Sequence, residues 1–249
     1  MSEKLFSGKV AIITGGRMGI GSAIVEKFVE KGCNVAVFGR TQAKGMTEES
    51  RESGEPAVRF YSCDVAEEEQ VKNAVADVIK DFGKIDFLVN NAGIYPAVPF
   101  LEMDTETFDQ IFDINVKGIF LVTKEVVRQS MQERKQGKII CISSVDGWLP
   151  SKGIIAYAAS KAAVNSMVKS FAIELAEYHI TANGVAPGWV ATEPVIKAER
   201  WKSQIGGVLK GRMAEPQEIG EMVTFLCEER ADYMNGEIVN LSGGLLLNA

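Results

Sequence analysis

Tyr157 and Lys161 stand four residues apart in the run Tyr157-Ala158-Ala159-Ser160-Lys161. On a helix this spacing puts a phenol and an ammonium side by side on one face. An unperturbed phenol titrates near pH ~10 and is a poor base at neutrality. A neighbouring cation favours the phenolate and brings the group into range for general acid–base work. Tyr-x-x-x-Lys alone is a common accident of helix surfaces, and it gains weight from its company. Ser143 and Ser144 close an apolar run thirteen residues before Tyr157, counting from Ser144. Asn90-Asn91-Ala92-Gly93 follows another such run. Asn115 lies within a helical pattern, where asparagine is mildly unfavourable.

A second constellation lies near the start of the chain, in Thr14-Gly15-Gly16-Arg17-Met18-Gly19-Ile20-Gly21 between an apolar run and a helical one. Glycines let backbone approach a pyrophosphate, and the N–H groups at a helix start offer it hydrogen bonds and partial positive charge. The next apolar run ends in Gly39-Arg40-Thr41, with no Asp or Glu to accept from a ribose 2′-hydroxyl. A guanidinium there suits a 2′-phosphate, with Thr41 adding a hydroxyl and Arg17 further charge. These residues point to NADP(H) as the cofactor.

Both constellations need a scaffold, and the hydropathy pattern supplies one. Short apolar runs at 10–13, 35–38, 58–61, 87–89, 139–142, 180–185 and 237–241 read as strands. Helical spacings fill the intervals at 19–31, 67–82, 104–113, 116–135, 155–178 and 216–228. The strands are almost wholly apolar, so both faces of their sheet must be covered. Strand–helix alternation of this kind gives an α/β doubly wound sheet of mainly parallel strands with right-handed crossovers. Residues 1–249 read as one domain, without linker or repeat. The one long irregular stretch, 187–215, is the candidate substrate lid, centred on residues 190–212.

Composition narrows the function class. The 249 residues carry 27 Lys and Arg against 33 Asp and Glu, a formal charge of −6, with no basic block for nucleic acid. No apolar run approaches the ~18 residues of a membrane span, and residues 1–6 do not read as a signal peptide. His179 is the single histidine, which excludes a multi-His metal site, and no metal is expected. Cys33, Cys63, Cys141 and Cys227 are scattered without a C-x-x-C pair, which reads as buried, reduced thiols in a cytoplasmic protein.

Taken in order, Thr14–Gly21, Asp64, Asn90–Gly93, Asn115, Ser144, Tyr157-x-x-x-Lys161, Pro187-Gly188 and Thr192 resemble the short-chain dehydrogenase/reductase superfamily over essentially the whole chain. The resemblance implies a seven-stranded Rossmann-type sheet, nicotinamide bound at the C-terminal strand ends, and a homotetramer. It implies that Tyr157 is the general acid or base, and that Lys161 holds the nicotinamide ribose and depresses the Tyr157 pKa. Ser144 would polarise the substrate carbonyl, and Asn115 would hold a water that links Lys161 to solvent. Gly15, Arg17, Gly19, Ile20 and Gly21 would meet the phosphates, with Arg40 and Thr41 at the 2′ position. Asp64 and Val65 would meet the adenine, Asn91 and Gly93 its ribose, and Pro187, Gly188, Val190 and Thr192 the nicotinamide end. Two positions depart from the family's habit. Met18 stands where a small or basic residue is frequent, and Ser242-Gly243-Gly244 stands where many members have Asp-Gly-Gly.

Around these positions Ile94, Tyr95, Asp146, Trp148, Leu149 and Trp189 are expected to face the substrate, with Trp201 in the lid. An apolar pocket with a few orienting polar groups follows, suited to a small-molecule ketone or alcohol of steroid or bile acid bulk. The stretch Phe38-Gly39-Arg40-Thr41-Gln42 resembles bacterial hydroxysteroid dehydrogenases, and Lys210–Pro216 resembles both these and 3-oxoacyl-(acyl carrier protein) reductases. A carrier-linked 3-oxoacyl reductase is the alternative enzyme. An idle dinucleotide-binding sensor is the alternative from a different class, and the complete Asn115, Ser144, Tyr157, Lys161 set speaks against it.

Overall fold

In a computed structural model, residues 4–41 and 56–247 are described; Gln42 lies outside them. Seven strands form one sheet: β1 (Val10–Thr14), β2 (Asn34–Gly39), β3 (Val58–Ser62), β4 (Phe87–Asn90), β5 (Gly137–Ile142), β6 (Ile180–Pro187) and β7 (Ile238–Leu241). Their order across the sheet is β3-β2-β1-β4-β5-β6-β7, and all six pairings are parallel. The order reverses between β1 and β4, where the connections switch from one face of the sheet to the other. A crevice therefore opens beyond the carboxyl ends of these strands.

Both faces are covered, as apolar strands require. On one face α2 (Glu68–Phe82), α4 (Gly118–Val126) and α6 (Ile155–Glu174) bury Val75, Val122, Val126 and Val164 against Ile12, Leu88 and Ile139. On the other, α1 (Gly19–Glu30) and α8 (Pro216–Cys227) bury Ile24, Phe28, Ile219 and Leu226 against Ile13, Val89 and Ile140. The period-2 alternation of each strand thus feeds two apolar layers. All four cysteines are free and buried within these layers. No helix among the described residues is long and apolar enough to cross a membrane.

The crossover from β4 to β5 differs from the expected pair of helices at 104–113 and 116–135. α3 (Thr105–Phe112), capped by Asp104 accepting from the Thr107 N–H at 2.6 Å, runs without a break into a π-helical turn at Asp113–Lys117. α4 follows, then a second π turn at Val127–Met131 and the short α5 (Gln132–Arg134). Backbone angles remain helical across each junction, so no chain break marks what the sequence suggested was a boundary. The helix expected over 155–178 ends sooner, at Glu174, in a 3₁₀ turn and a left-handed His179.

The stretch 187–215 contains α7 (Glu193–Ala198) and 3₁₀ turns at Arg200–Ser203 and Ile205–Gly207. Its two ends are tied together: the Ala191 N–H donates to the Ala214 carbonyl at 2.8 Å, and the Ala214 N–H to the Trp189 carbonyl at 2.9 Å. An excursion whose ends are closed in this way forms a compact surface loop. α8 then starts with Pro216 at its first position and a reciprocal Glu215–Glu218 capping box.

Candidate active site

A cavity of about 580 Å³ occupies the crevice, running from Arg40 and Thr41 at one end to Tyr157, Trp189 and the lid at the other. Every residue expected from the sequence to hold the cofactor lines it. Of the residues expected to meet substrate, Ile94, Tyr95, Ser144, Asp146, Leu149 and Trp189 line it as well. Trp148 does not: the 3₁₀ turn at Val145–Gly147 turns the chain so that Leu149 and Pro150 form the wall instead. The lid contributes Pro194, Val195, Ala198, Arg200 and Gln204, but not Trp201.

The phosphate end is a backbone cradle. A Cβ on Gly21 would stand 2.2 Å from the Gly15 carbonyl oxygen, so no side chain fits there without moving the turn. Gly15 has φ +66°, the left-handed conformation that glycine adopts freely. α1 begins with no side-chain cap and no acidic residue in its first turn, which leaves its N-terminal N–H groups without side-chain acceptors. A phosphate supplies the missing acceptors and negative charge, so the cradle fits a pyrophosphate. The turn is held by Asn91, whose Nδ2 donates to the Thr14 and Gly15 carbonyls at 2.9 and 3.2 Å. At its rim, Arg17 Nη1 donates to Thr41 Oγ1 at 2.8 Å, which brings Arg17 to the end of β2 beside exposed Arg40.

At the other end, α6 starts beneath the ends of β4 and β5. Lys161, only 4% exposed, donates from Nζ to the Ile142 carbonyl at 2.8 Å and lies 5.6 Å from the centre of the Tyr157 ring. Burial, which penalises the charged form, pulls its pKa down to about 8. Burial pushes the Tyr157 phenol well above its ordinary value, the Ser144 hydroxyl opposes this, and the negative charge of Asp146 adds to it. The phenol is therefore held protonated at neutral pH, which is the form a proton donor needs.

Asn115 is fully buried in the π turn and does not line the cavity. Its Oδ1 accepts from the Ile94 N–H at 2.9 Å, while Nδ2 donates to the Ile94 carbonyl at 2.9 Å and Ser160 Oγ at 3.1 Å. Both amide hydrogens are thereby used, and what is left for a water is acceptor capacity on Oδ1. Asn115 thus pins the loop after β4 to α6. π turns concentrate at functional sites because the widened turn re-aims a side chain. Ser143 is committed elsewhere, donating to Asn165 Oδ1 at 2.5 Å. Ser144 Oγ instead faces the cavity, accepts from the Asp146 N–H at 3.1 Å and donates to Asp146 Oδ2 at 3.1 Å. Tyr95 packs edge-on to Tyr157, with ring centres 6.0 Å apart. Sequence reasoning missed Ser160, the Ile142 carbonyl, Arg200 and Gln204, because each is selected by tertiary neighbours and has no spacing signal of its own.

A family model described as short chain dehydrogenase matches residues 9–203. The chain belongs to the short-chain dehydrogenase family. It is 35% identical over 244 residues to a 3-oxoacyl-(acyl-carrier-protein) reductase of Thermotoga maritima, covering 96% of this chain and 98% of the relative. It is 33% identical over 247 residues to a cyclopentanol dehydrogenase of Comamonas testosteroni, covering 96% and 98%. The crystal structure of gox2181 superimposes with a TM-score of 0.91 at 34% identity, over 98% of both chains. This short-chain dehydrogenase is accordingly an oxidoreductase of CH–OH and keto groups that works with a nicotinamide dinucleotide.

Proposed function

We propose that this short-chain dehydrogenase is an NADP(H)-dependent enzyme of the cytoplasm that interconverts a secondary alcohol and a ketone on a bulky, largely apolar substrate. The observation that carries the reading is one continuous cavity, with Arg17, Arg40 and Thr41 at one end and Ser144, Tyr157 and Lys161 at the other. Two guanidinium groups and a hydroxyl suit a 2′-phosphate, and no acid stands at the end of β2 to prefer a free 2′-hydroxyl.

The glycine turn and Asn91 would hold the pyrophosphate side, Asp64 and Val65 the adenine, and Pro187, Gly188, Val190 and Thr192 the nicotinamide end. The bound dinucleotide would supply or accept the hydride. The remaining chemistry belongs to the chain. Tyr157 gives its phenolic proton to the substrate oxygen as a carbonyl becomes an alcohol, and takes it back in the reverse direction. Ser144 donates a hydrogen bond to the same oxygen and polarises it. Lys161, buried against the Tyr157 ring, would hold the nicotinamide ribose and set the electrostatics around the phenol. Asn115 keeps Ile94 and the loop after β4 at the correct distance from α6. The lid, closed at its base by the Trp189–Ala214 bonds, excludes water during transfer.

Leu149, Ile154, Trp189, Val195 and Leu245 in the wall favour an apolar substrate such as a steroid ketone. A 3-oxoacyl reductase acting on a carrier protein is the second reading, favoured by the Thermotoga relative. Against it, three lid-region cations are already paired, Lys197 with Glu193, Lys202 with Glu199 and Arg212 with Glu218, which leaves a poor basic rim for an acidic carrier. The test is oxidation of NADPH and NADH across steroid ketones, 3-oxoacyl thioesters, sugars and aryl ketones. The proposal expects NADPH and a bulky apolar ketone to give the highest kcat/KM. Preference for NADH, or for the thioester, would overturn the corresponding half.

A further inference from the structure

We propose that Asp146 is a specificity-determining residue that accepts a hydrogen bond from a hydroxyl on the carbon next to the reacting carbonyl, so that vicinal hydroxyketones and diols are preferred substrates. The inference rests on the reading that Ser144 and Tyr157 hold the reacting oxygen.

Asp146 lines the substrate end of the cavity, two residues beyond Ser144. It is half-buried, and its partners are sparse for a carboxylate. Oδ2 accepts from Ser144 Oγ at 3.1 Å, and Oδ1 has only Ser151 Oγ at 3.5 Å. An ionised carboxylate offers about four acceptor sites, and donors among the described residues fill two of them. Arg200 in the lid attracts it, yet the guanidinium donates to the Lys152 carbonyl at 3.3 Å and forms no ion pair with Asp146 among the described residues. Among the described residues at this end, the other titratable groups are Tyr157 and Lys161 on α6 and Tyr95, which packs on the Tyr157 ring. The two tyrosines carry O–H groups, and Lys161 Nζ is turned to the Ile142 carbonyl and forms no ion pair with Asp146 among the described residues. A half-buried carboxylate with open acceptor sites favours a ligand that brings a donor to it.

The spacing selects which donor. Asp146 Oδ2 and Ser144 Oγ are one hydrogen-bond length apart. Two oxygens on adjacent carbons, held gauche, present a similar separation and span the pair. A substrate hydroxyl that donates to Oδ2 also takes over the task of the Ser144 hydrogen, which is then free to turn to the carbonyl. A ketone without that hydroxyl leaves Ser144 bound to Asp146 and the acid unsatisfied. The preference is thus built from a gained charge-assisted hydrogen bond and a released catalytic one.

The probe pair is 2-hydroxycyclohexanone and cyclohexanone, assayed with NADPH on the full-length enzyme and on Asp146→Asn and Asp146→Ala. The expected wild-type ratio of kcat/KM is about tenfold or more in favour of the hydroxyketone, as expected for a hydrogen bond to a charged group. Asp146→Ala brings the ratio to about one, and Asp146→Asn, which keeps an acceptor without charge, falls between. Thermal unfolding of each variant verifies that it folds. A wild-type ratio near one, a ratio that survives in Asp146→Ala, or turnover of neither probe overturns the proposal. The underlying reading fails separately: Tyr157→Phe would then keep turning over both probes while their ratio still follows Asp146.

Discussion

Removing single functional groups separates roles that one cavity combines. Tyr157→Phe deletes the phenolic O–H and leaves the ring that packs on Tyr95 and lies over Lys161. Turnover is expected to fall by about 10²–10⁴-fold, the usual contribution of acid–base catalysis, with dinucleotide affinity retained. Steady-state kinetics beside calorimetric titration with NADPH measure both. Arg40→Asp replaces a fork suited to phosphate by an acid suited to a 2′-hydroxyl, so kcat/KM should drop about 10–100-fold with NADPH and rise with NADH. An unchanged NADPH value would place the 2′-phosphate contact elsewhere. Lys161 yields a prediction in pH. Its folded pKa of about 8 lies below the unfolded value of 10.5, so between these values the unfolded chain binds more protons and stability rises with pH. The raised Tyr157 works in the opposite sense above its ordinary pH ~10. Lys161→Met should therefore be more stable than the wild type at pH 7, by on the order of 1–3 kcal/mol, and the gap should narrow towards pH 10. Urea midpoints at the two pH values provide the measurement.

Individual elements show why sequence patterns reveal some positions and conceal others. The glycine turn was legible because its chemistry is backbone chemistry, and Gly21 shows it most directly. Gly21→Ala drives a methyl to 2.2 Å from the Gly15 carbonyl and 2.6 Å from Asn91 Nδ2. The turn must open, and loss of dinucleotide binding by calorimetry, with a lowered unfolding temperature, is the expected result. The π turn was not legible. Its residues, Asp113–Lys117, have the composition of ordinary helix, and only the demand of Ile94 for both an acceptor and a donor shows why Asn115 sits there. Asn115→Ala leaves the half-buried Ile94 N–H and carbonyl without their partner, at a cost of about 1–3 kcal/mol in a urea titration. Trp148 illustrates the same limit. Proximity in sequence to Ser144 suggested a place on the cavity wall for both Trp148 and Leu149, and after one 3₁₀ turn only Leu149 takes it.

For the molecule as a whole, the sheet is complete but one outer face is not covered. Phe120 on α4 is 48% exposed and lines an apolar groove with Phe112, Val116 and Met167, and Ile173 on α6 is 77% exposed. Exposed apolar patches of this kind mark association surfaces. The homotetramer expected from the family resemblance would cover it, and the alanine-rich start of α6 suits close helix packing. Light scattering should give a mass of four chains, and Phe120→Glu should lower it; 27.1 kDa for the wild type would refute the assembly.

The amino-acid sequence by itself determined the doubly wound sheet, the glycine turn, the missing acid after β2 and the Ser144, Tyr157, Lys161 order. Each depends on periodicity or on a residue type demanded at a strand end, and such signals are local. Tertiary structure alone decided that Asn91 and Asn115 act as braces and that Lys161 lies buried against the Tyr157 ring. It also decided that Asp146 meets Ser144 within an apolar wall. These depend on desolvation and on hydrogen bonds between segments far apart in sequence, quantities that exist only once the chain has folded around them.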